Sequence, residues 1–335
     1  MSKLFRDVEG KALCPQGSVV CIGAFDGLHR GHQALVGHAL ARARELGLPA
    51  VALSFEPLPR EFFARGEQPA RLLLPRAKFE GLRALGVDVV GLLRFNAALS
   101  SMSAEEFISK ILVGRMSARE VWVGPDFRFG KARAGDVALL QTAGAAHGRA
   151  SVAGGTMPGA TAAHGFVAGQ IEPVHVDDER VSSSLLRQQL AEGDLDGAAA
   201  GLGHRYSIDG KVVRGKQLGR RLGYPTANIR LMGKRTALTG IYATWVHGVG
   251  ATPRASVSSL GTRPTVFGRE PLLEAHLFDF DGDLYGKRLR VEFVAKLRDE
   301  EKFDDLPALV RQMNIDAEQA RKILRHDLKN IGVSA

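Results

Sequence analysis

The sequence predicts an α/β protein in two parts, a doubly wound, mostly parallel sheet up to about residue 200 and then a small antiparallel β-barrel with a terminal helix. Three observations carry this. Short apolar strands alternate with helical patterns through the first half. After Tyr206 the rhythm changes to successive strands separated by turn residues, with no long helix before the end. Between the first strand and the first helix stands a turn unusually rich in glycine and histidine, "GAFDGLHRGH".

In order, Val19–Ile22 is a β-branched run of buried-strand type, and the period from His32 to Leu46 is helical, closed by Gly47 and Pro49. Further strands are expected at Ala50–Phe55, Val87–Leu93 and Glu120–Val123, and further helices at Arg76–Leu85, Ala104–Leu112 and Asp136–His147. "GGTMPGATAAHGFVAG", 154 to 169, reads as a patternless loop; "VSSSLLRQQLAEGDL" opens with serines at a helix start, and "DGAAAGLGHRY" reads as a linker. The barrel strands are expected at Tyr206–Val213, Gly240–His247, Arg254–Leu260, Leu272–Phe278 and Leu289–Ala295, and the last helix at Asp304–Leu328. Tyr242, Trp245 and Phe278 fall in apolar strand patterns and read as core. The domains are therefore placed at 1–187 and 204–331, with 188–203 as linker.

The glycine–histidine turn admits three readings: a metal pair, a phosphate cradle, or a tight turn with incidental histidines. At a strand-to-helix junction the first helical N–H groups are unpaired and the dipole is positive, so an anion is readily held. Glycine lets the backbone approach it, and His29 and His32 can donate to its oxygens. A metal pair would need further ligands, for which the neighbourhood supplies only Asp26 and His38. The cradle is preferred.

Composition sets outer limits. Forty-five per cent hydrophobic and 24 per cent charged residues are ordinary for a globular protein. No apolar run reaches the roughly eighteen residues of a membrane span, and the first residues carry no signal-peptide core, so the cytoplasm is the expected compartment, with no membrane partner. Two cysteines without a C-x-x-C pair exclude a disulfide framework and a thiolate zinc site. Net charge +9 and a pI near 9.8 imply an anionic partner. Basic residues are scattered rather than gathered in a block, which favours small anionic ligands over nucleic acid.

With these residues in view, the chain resembles the bacterial bifunctional riboflavin kinase/FAD synthetase family over about residues 15 to 330. The resemblance rests on "GAFDGLHRGH", "FEPLPREFF", "VGPDFRFGKARAGD" and "VSSSLLR" in the first half, and on "GRRLGYPTAN", "GTRPTV", "LEAHLFDFDGDLYG" and "LRDEEKF" in the second. It implies a nucleotidyltransferase-like first domain that transfers AMP from ATP to FMN, giving FAD and pyrophosphate. There His29 and His32 hold the ATP phosphates, Gly23, Phe25, Asp26 and Gly27 shape the nucleotide pocket, and Asp126 and Arg128 contact nucleotide or flavin phosphate. Ser182, Ser183 and Arg187 clasp an anion at a helix start. It implies a riboflavin kinase second domain with ATP as co-substrate. Gly219, Arg220 and Gly223 form the phosphate loop, Thr226 and Asn228 are oxygen ligands for Mg2+, Glu274 is the general base, and Arg298 and Glu300 order a lid near the flavin.

Taken alone, Glu274 could be a solvated strand residue, Thr226-x-Asn228 a plain turn, and Ser182–Ser183 an N-cap. Four positions depart from the family's usual residues: Ala24 and Ser259 for Asn, Leu58 for His, Ser184 for Thr. Leu58 cannot donate to a phosphate, so that contact is absent or falls to Arg60. Because all kinase motifs follow residue 204, a fragment starting near Gly203 is expected to keep that activity. Two other readings stay open: one domain alone is active, or the barrel is an OB-like nucleic-acid binder with exposed aromatics on its strands. Homo-oligomerisation is left open.

Overall fold

The computed structural model describes residues 2–153, 165–215, 219, 222–265 and 268–330. The chain forms two compact units, Met1–Pro69 with Pro75–Ser182, and Ala70–Leu74 with Ser183–Ala335.

In the first unit the elements run β1 (Lys3–Phe5), β2 (Ser18–Ile22), α1 (Arg30–Leu46), β3 (Ala50–Glu56), α2 (Pro59–Phe62), α3 (Pro75–Ala84), β4 (Val89–Arg94), α4 (Ala97–Ser101) and α5 (Ala104–Glu106). A π-helix over Phe107–Arg115 leads to β5 (Ala118–Val123), α6 (Val137–Ala153) and β6 (Val167–Gln170). A small antiparallel ribbon, β7 (His175–Val176) with β8 (Glu179–Arg180), follows. The sheet is parallel with strand order β1-β4-β3-β2-β5-β6. All five residues of β2 are buried, which is why "SVVCI" shows no alternation: helices cover both faces. Val20, Ile22, Val51, Leu53, Val121 and Val123 form the core with Phe107, Ile111, Leu112 and Leu140. From β2 the chain builds outward through β3 and β4, then crosses to β5 on β2's other side. The strand order reverses there, and in a parallel sheet such a reversal is where a crevice lies outside the carboxyl ends of the strands, here β2 and β5.

The second unit begins with α7 (Ser183–Glu192) and α8 (Leu195–Leu202). Then come β9 (Ser207–Val213), β10 (Ala227–Ile229), β11 (Gly240–His247), β12 (Arg254–Thr265), β13 (Gly268–Leu277), β14 (Arg288–Arg298) and the long α9 (Leu306–Asn330). The strands close into an antiparallel barrel in the order β10-β13-β12-β11-β14-β9. Its interior is packed with Ile208, Val212, Ile229, Tyr242, Val246, Leu260, Leu273, Val291 and Phe293. A second apolar cluster joins Ala243, Trp245 and Phe278 to Ala317, Ala320 and Leu324, so α9 covers part of the barrel's outer wall. Tyr242, Trp245 and Phe278 are core, as expected.

Two sequence expectations change. The stretch 188–203, expected as linker, is helical: it carries the end of α7 and all of α8. The expected boundary at 187 also moves, because Ser183 onward packs with the second unit. Leu186, Leu190, Leu195, Ala198 and Leu202 share the barrel's core, together with Leu72 from the Ala70–Leu74 strap. The strap is fixed by backbone bonding of Arg71 N–H to the Arg235 carbonyl at 2.8 Å. Strands β1, β6 and β10 were not anticipated, being too short to show a period. Of the 154–169 loop, residues 154–164 lie outside the described residues, and β6 begins at Val167.

A fragment starting at Gly203 would therefore lack Leu72, Leu186, Leu190, Leu195 and Leu202. At about 1.5 kcal/mol or more per buried leucine, the loss approaches the whole stability of a domain, roughly 5–15 kcal/mol. We expect no cooperative melting transition from residues 203–335, and recovery of one when residues 183–335 are mixed with a peptide spanning 68–76. Calorimetry checks this, and a cooperative transition from the shorter fragment alone would refute it.

In the first unit Glu120 is 5% exposed and takes Arg42 Nε at 3.0 Å and Trp122 Nε1 at 2.8 Å. The Arg42 hydrogen bonds hold its carboxyl below the ordinary carboxylate value of 4.5. A depressed folded value contributes stability that is present above the unfolded pKa and lost as pH falls through the folded one. Glu120→Gln should cost about 1–2 kcal/mol at pH 7, the partly exposed arginine reducing the effect, and should flatten the acid limb of stability below about pH 4.5. Melting curves from pH 3 to pH 7 test both.

Candidate active sites

The first candidate site lies at the crevice between the carboxyl ends of β2 and β5. Gly23 N–H still donates to the Leu53 carbonyl at 3.1 Å; beyond it the chain turns sharply. Phe25, Gly27 and Leu28 have φ of 48°, 95° and 46°, so two non-glycine residues sit in left-handed backbone that costs about 1–2 kcal/mol each. The surroundings hold them there. Ser54 Oγ donates to the Ala24 carbonyl at 3.0 Å, and the fully buried Lys78 donates from Nζ to Ser54 Oγ at 3.2 Å. Gln33 Nε2 donates to the Leu28 carbonyl at 2.8 Å. The Leu28 side chain fills space that only Gly81 of α3 leaves open. Asp26, 1% exposed, pairs with Arg60 Nη2 at 2.5 Å.

This turn delivers the histidines. His29 is the N-cap of α1, its Nδ1 accepting the His32 amide at 3.4 Å. A nitrogen that accepts carries no proton, so the ring proton stands on Nε2. The two imidazoles stack at 3.7 Å between centroids, 25° apart, and the buried Phe25 ring meets His32 edge-on at 5.3 Å. Stacked rings do not converge on one cation, and among the described residues no group of three or more His, Cys, Asp or Glu could hold a metal ion.

Asp126 and Arg128 follow β5 on the crevice's other side. Both are exposed: Asp126 pairs with Arg180 of β8, and Arg128 Nη1 donates to Asp136 at 2.9 Å. Asp136 also takes the Leu139 amide at 3.0 Å, and that bond, followed by Arg128, holds its carboxyl below the usual range. Ser182 ends the first unit just after Val181, whose carbonyl faces Gly31 of α1. Ser183 and Arg187 belong to the second unit, where Arg187 Nε donates to the Ala70 carbonyl at 2.9 Å. Leu58 is 1% exposed and starts α2, its amide taken by Glu61 at 2.9 Å, while Arg60 is engaged by Asp26.

Sequence reasoning missed an aromatic cavity of about 340 Å³ in this unit, lined by Phe55, Phe63, Phe95, Phe107, Phe129 and Arg128. Phe95 stands roughly perpendicular to Phe55, Phe62 and Phe63, and Phe63 is 61% exposed at the rim. The signal was present as the phenylalanines of "FEPLPREFF" and "PDFRFG".

The second candidate site occupies the outer wall of the barrel beside α9. Register creates it: Asn228 of β10 and Ser259 of β12 both pair with Glu274 of β13, so the three side chains form one row across adjacent strands. A cavity of about 340 Å³ includes this row together with Gly219, Thr226, His276 and Arg298, and is walled from α9 by Leu309, Met313 and Asp316. A neighbouring cavity of about 440 Å³, lined by Phe280, Asp281, Asp283 and Tyr285, shares Thr226 with the first.

The approach to the row is a tight turn. Leu222 and Tyr224 amides both return to the Gly219 carbonyl, at 3.0 and 2.8 Å, and any side chain at Gly219 would collide with the Tyr224 carbonyl. Gly223 has φ 84° and Asn228 is 7% exposed. Gly215 backs onto the Asn228 carboxamide so closely that a Cβ there would displace it. Arg220 lies outside the described residues. Arg298 is held by Asp316, with Nε at 3.0 Å and Nη2 at 2.8 Å, and fastens α9 to β14. Glu300 is exposed, and its carboxylate lies over Gly261. No sequence pattern singles out Tyr224, His276 or Asp316, which complete the cavity wall. Burial pushes the His276 imidazole below its ordinary value.

Known proteins resemble both halves of the chain. The FAD synthetase family model matches residues 11–185 and the riboflavin kinase model residues 202–324. The chain is 40% identical over 321 residues to the bifunctional riboflavin kinase/FMN adenylyltransferase of Escherichia coli K12, covering 96% of this chain and 97% of that one. It is 43% identical over 310 residues to the protein of that name from Pseudomonas fluorescens, covering 92% and 93%. It is also similar to a solved structure titled macrolide-efflux protein from Streptococcus pneumoniae, with a TM-score of 0.72, 27% identity, and coverage of 96% and 98%. Two family models in tandem, and near full-length identity of 40% or more, establish that the chain belongs to the bifunctional riboflavin kinase/FMN adenylyltransferase family.

Proposed function

We propose that the chain carries out both reactions of its family, phosphorylating riboflavin with ATP in the second unit and adenylylating FMN with ATP in the first. The observation that carries the assignment of roles is the Asn228–Glu274–Ser259 row, in a cavity that meets its neighbour at Thr226.

In the kinase reaction the ribityl hydroxyl oxygen bonds to the γ-phosphorus, the bond between that phosphorus and the β,γ-bridging oxygen breaks, and ADP leaves. Glu274 accepts the hydroxyl proton. Riboflavin enters the cavity walled by α9, and the nucleoside of ATP fits the neighbouring cavity between Phe280 and Tyr285, so the transferred phosphoryl group passes at Thr226. Thr226 and Asn228 suit Mg2+. They offer oxygen donors, and Gly215 leaves the space the Asn228 carboxamide needs. The absence, among the described residues, of a larger acidic cluster suits a cation held partly by phosphates. When bound, Mg2+ supplies positive charge to the phosphate oxygens. Arg298, tied to Asp316, orders the wall rather than reaching for phosphate.

In the adenylyl transfer an FMN phosphate oxygen bonds to the α-phosphorus of ATP and pyrophosphate leaves. The work is placement and charge stabilisation: the positive end of the α1 dipole, His29 through Nε2–H, and His32 surround the site of charge development. The phenylalanine cavity beside Arg128 suits a planar flavin ring with its phosphate toward the guanidinium. Burial of Tyr242, Trp245 and Phe278 supports the enzyme reading over an aromatic platform on the barrel strands. Among the described residues no helix is long and apolar enough to cross a membrane.

Incubation with riboflavin, ATP and Mg2+, followed by chromatographic separation of the flavins, tests the whole reading: FMN and then FAD should appear. Glu274→Gln should lower the kinase rate by roughly 10²–10⁴-fold while FAD formation from supplied FMN persists. His32→Ala should do the reverse, costing about 2.7–4 kcal/mol of adenylyl-transfer barrier. Loss of both activities in either variant, with a lowered melting temperature, would make that residue structural. Gly219→Ala forces the turn open and should depress the kinase alone; an unchanged rate would remove the turn from the phosphate path.

A further inference from the structure

His276 stands two residues beyond Glu274 on β13 and lines the same cavity. The β10–β13 ladder ends at Ala227 opposite Ala275, one step short of Thr226. At that end the His276 imidazole takes over from the backbone: its Nδ1 lies 2.9 Å from the Pro225 carbonyl. A carbonyl has no proton to give, so Nδ1 carries the hydrogen and donates. The bond holds the residue immediately before Thr226.

The imidazole is itself held between two aromatic rings. Tyr224 packs against it at 4.9 Å between centroids and Phe278 meets it edge-on at 5.7 Å. Phe278 is backed by the Arg321 guanidinium of α9, 4.2 Å from its ring centre, and Arg321 is anchored by a two-bond pair with Asp279 at 2.7 and 3.0 Å. Tyr224 is tied to α9 as well, its hydroxyl donating to Asn314. Ring, carbonyl and helix thus form one clamp at the point where β10 begins.

We propose that His276 is a positioning residue of the kinase site: by donating from Nδ1 to the Pro225 carbonyl it sets Thr226 and Asn228 at working distance from Glu274. The inference rests on the kinase reading above. It assigns His276 no proton transfer. Its effect is on the placement of the ATP-side oxygens, so it should appear in turnover and nucleotide affinity.

The test uses the full-length protein and three replacements. In asparagine the side-chain amide reaches about where Nδ1 stands, in glutamine about where Nε2 stands, and alanine has neither. His276→Ala should lower kinase kcat by roughly 10–100-fold. It should also weaken ADP binding in Mg2+, measured by calorimetry, by about tenfold. His276→Asn should recover most of both losses and His276→Gln little. Normal kinase turnover in His276→Ala overturns the proposal, as does equal loss in the Asn and Gln variants. If the alanine variant fails to fold, the Asn–Gln comparison decides alone. Glu274→Gln run in parallel separates the two readings: if it leaves the kinase unimpaired, the site assignment itself fails, whereas loss in Glu274→Gln with normal turnover in His276→Ala refutes only the clamp.

Discussion

Burial of both faces of β2 is the constraint from which the first site follows. A strand packed on either side can offer no side chain to a ligand along its length, so chemistry must begin where it ends. The reversal of strand order between β2 and β5 then makes that end a crevice rather than a covered loop. The left-handed turn, the Ser54–Lys78 support and the capping histidine are ways of steering the chain out of a buried strand and into a helix within a few residues. The barrel solves the same problem differently. Its inside is filled by side chains, so its candidate row lies on the outer face and needs α9 to make a wall.

This difference explains what could be read before folding. The residues of the first site are neighbours in the chain: His29 and His32 lie one helical turn apart, and the glycines around them announce the turn. The second site is made by register. Asn228, Ser259 and Glu274 come from three strands, and no local pattern ties Asp316 on a distant helix to Arg298. Only the resemblance singled out Thr226, Asn228 and Glu274. It gave no hint of His276 or Tyr224, whose roles depend on the carbonyl and rings they meet in space. The phenylalanine cavity was hidden for a related reason, since aromatic residues at strand ends read as core until one of them, Phe63, is seen to be exposed.

The helical linker has its own physics. "DGAAAGLGH" has the small residues of a flexible connection, yet α8 is capped at both ends. Asp194 accepts the Gly197 amide at 2.9 Å, and Gly203 closes the helix with φ 82°. Small residues serve close packing here: Ala198 is fully buried, and a side chain at Gly197 would strike the Asp194 carboxylate. Composition alone does not distinguish a segment that needs no packing from one that packs too tightly for larger side chains.

Helix α9 raises the question of what fixes its position, because Ala317, Ala320 and Leu324 form a smooth apolar stripe that would tolerate a shift along the barrel. Three arginine–aspartate pairs resist that shift: Arg298 with Asp316, Arg321 with Asp279, and Arg205 with Asp327, the last also receiving Trp245 Nε1 at 2.8 Å. Burial alone would push the Asp327 carboxyl up, but hydrogen bonds from Arg205 and Trp245 outweigh it and hold the group below its ordinary value. Such pairs add little net stability once desolvation is counted, and their main effect is to specify register. A slip of one turn would break all three while leaving most of the apolar contact in place. Register matters because the same helix presents Leu309, Met313 and Asp316 to the cavity and Arg321 to the clamp on His276. The ion pairs along α9 thus determine where the wall of the candidate kinase site stands.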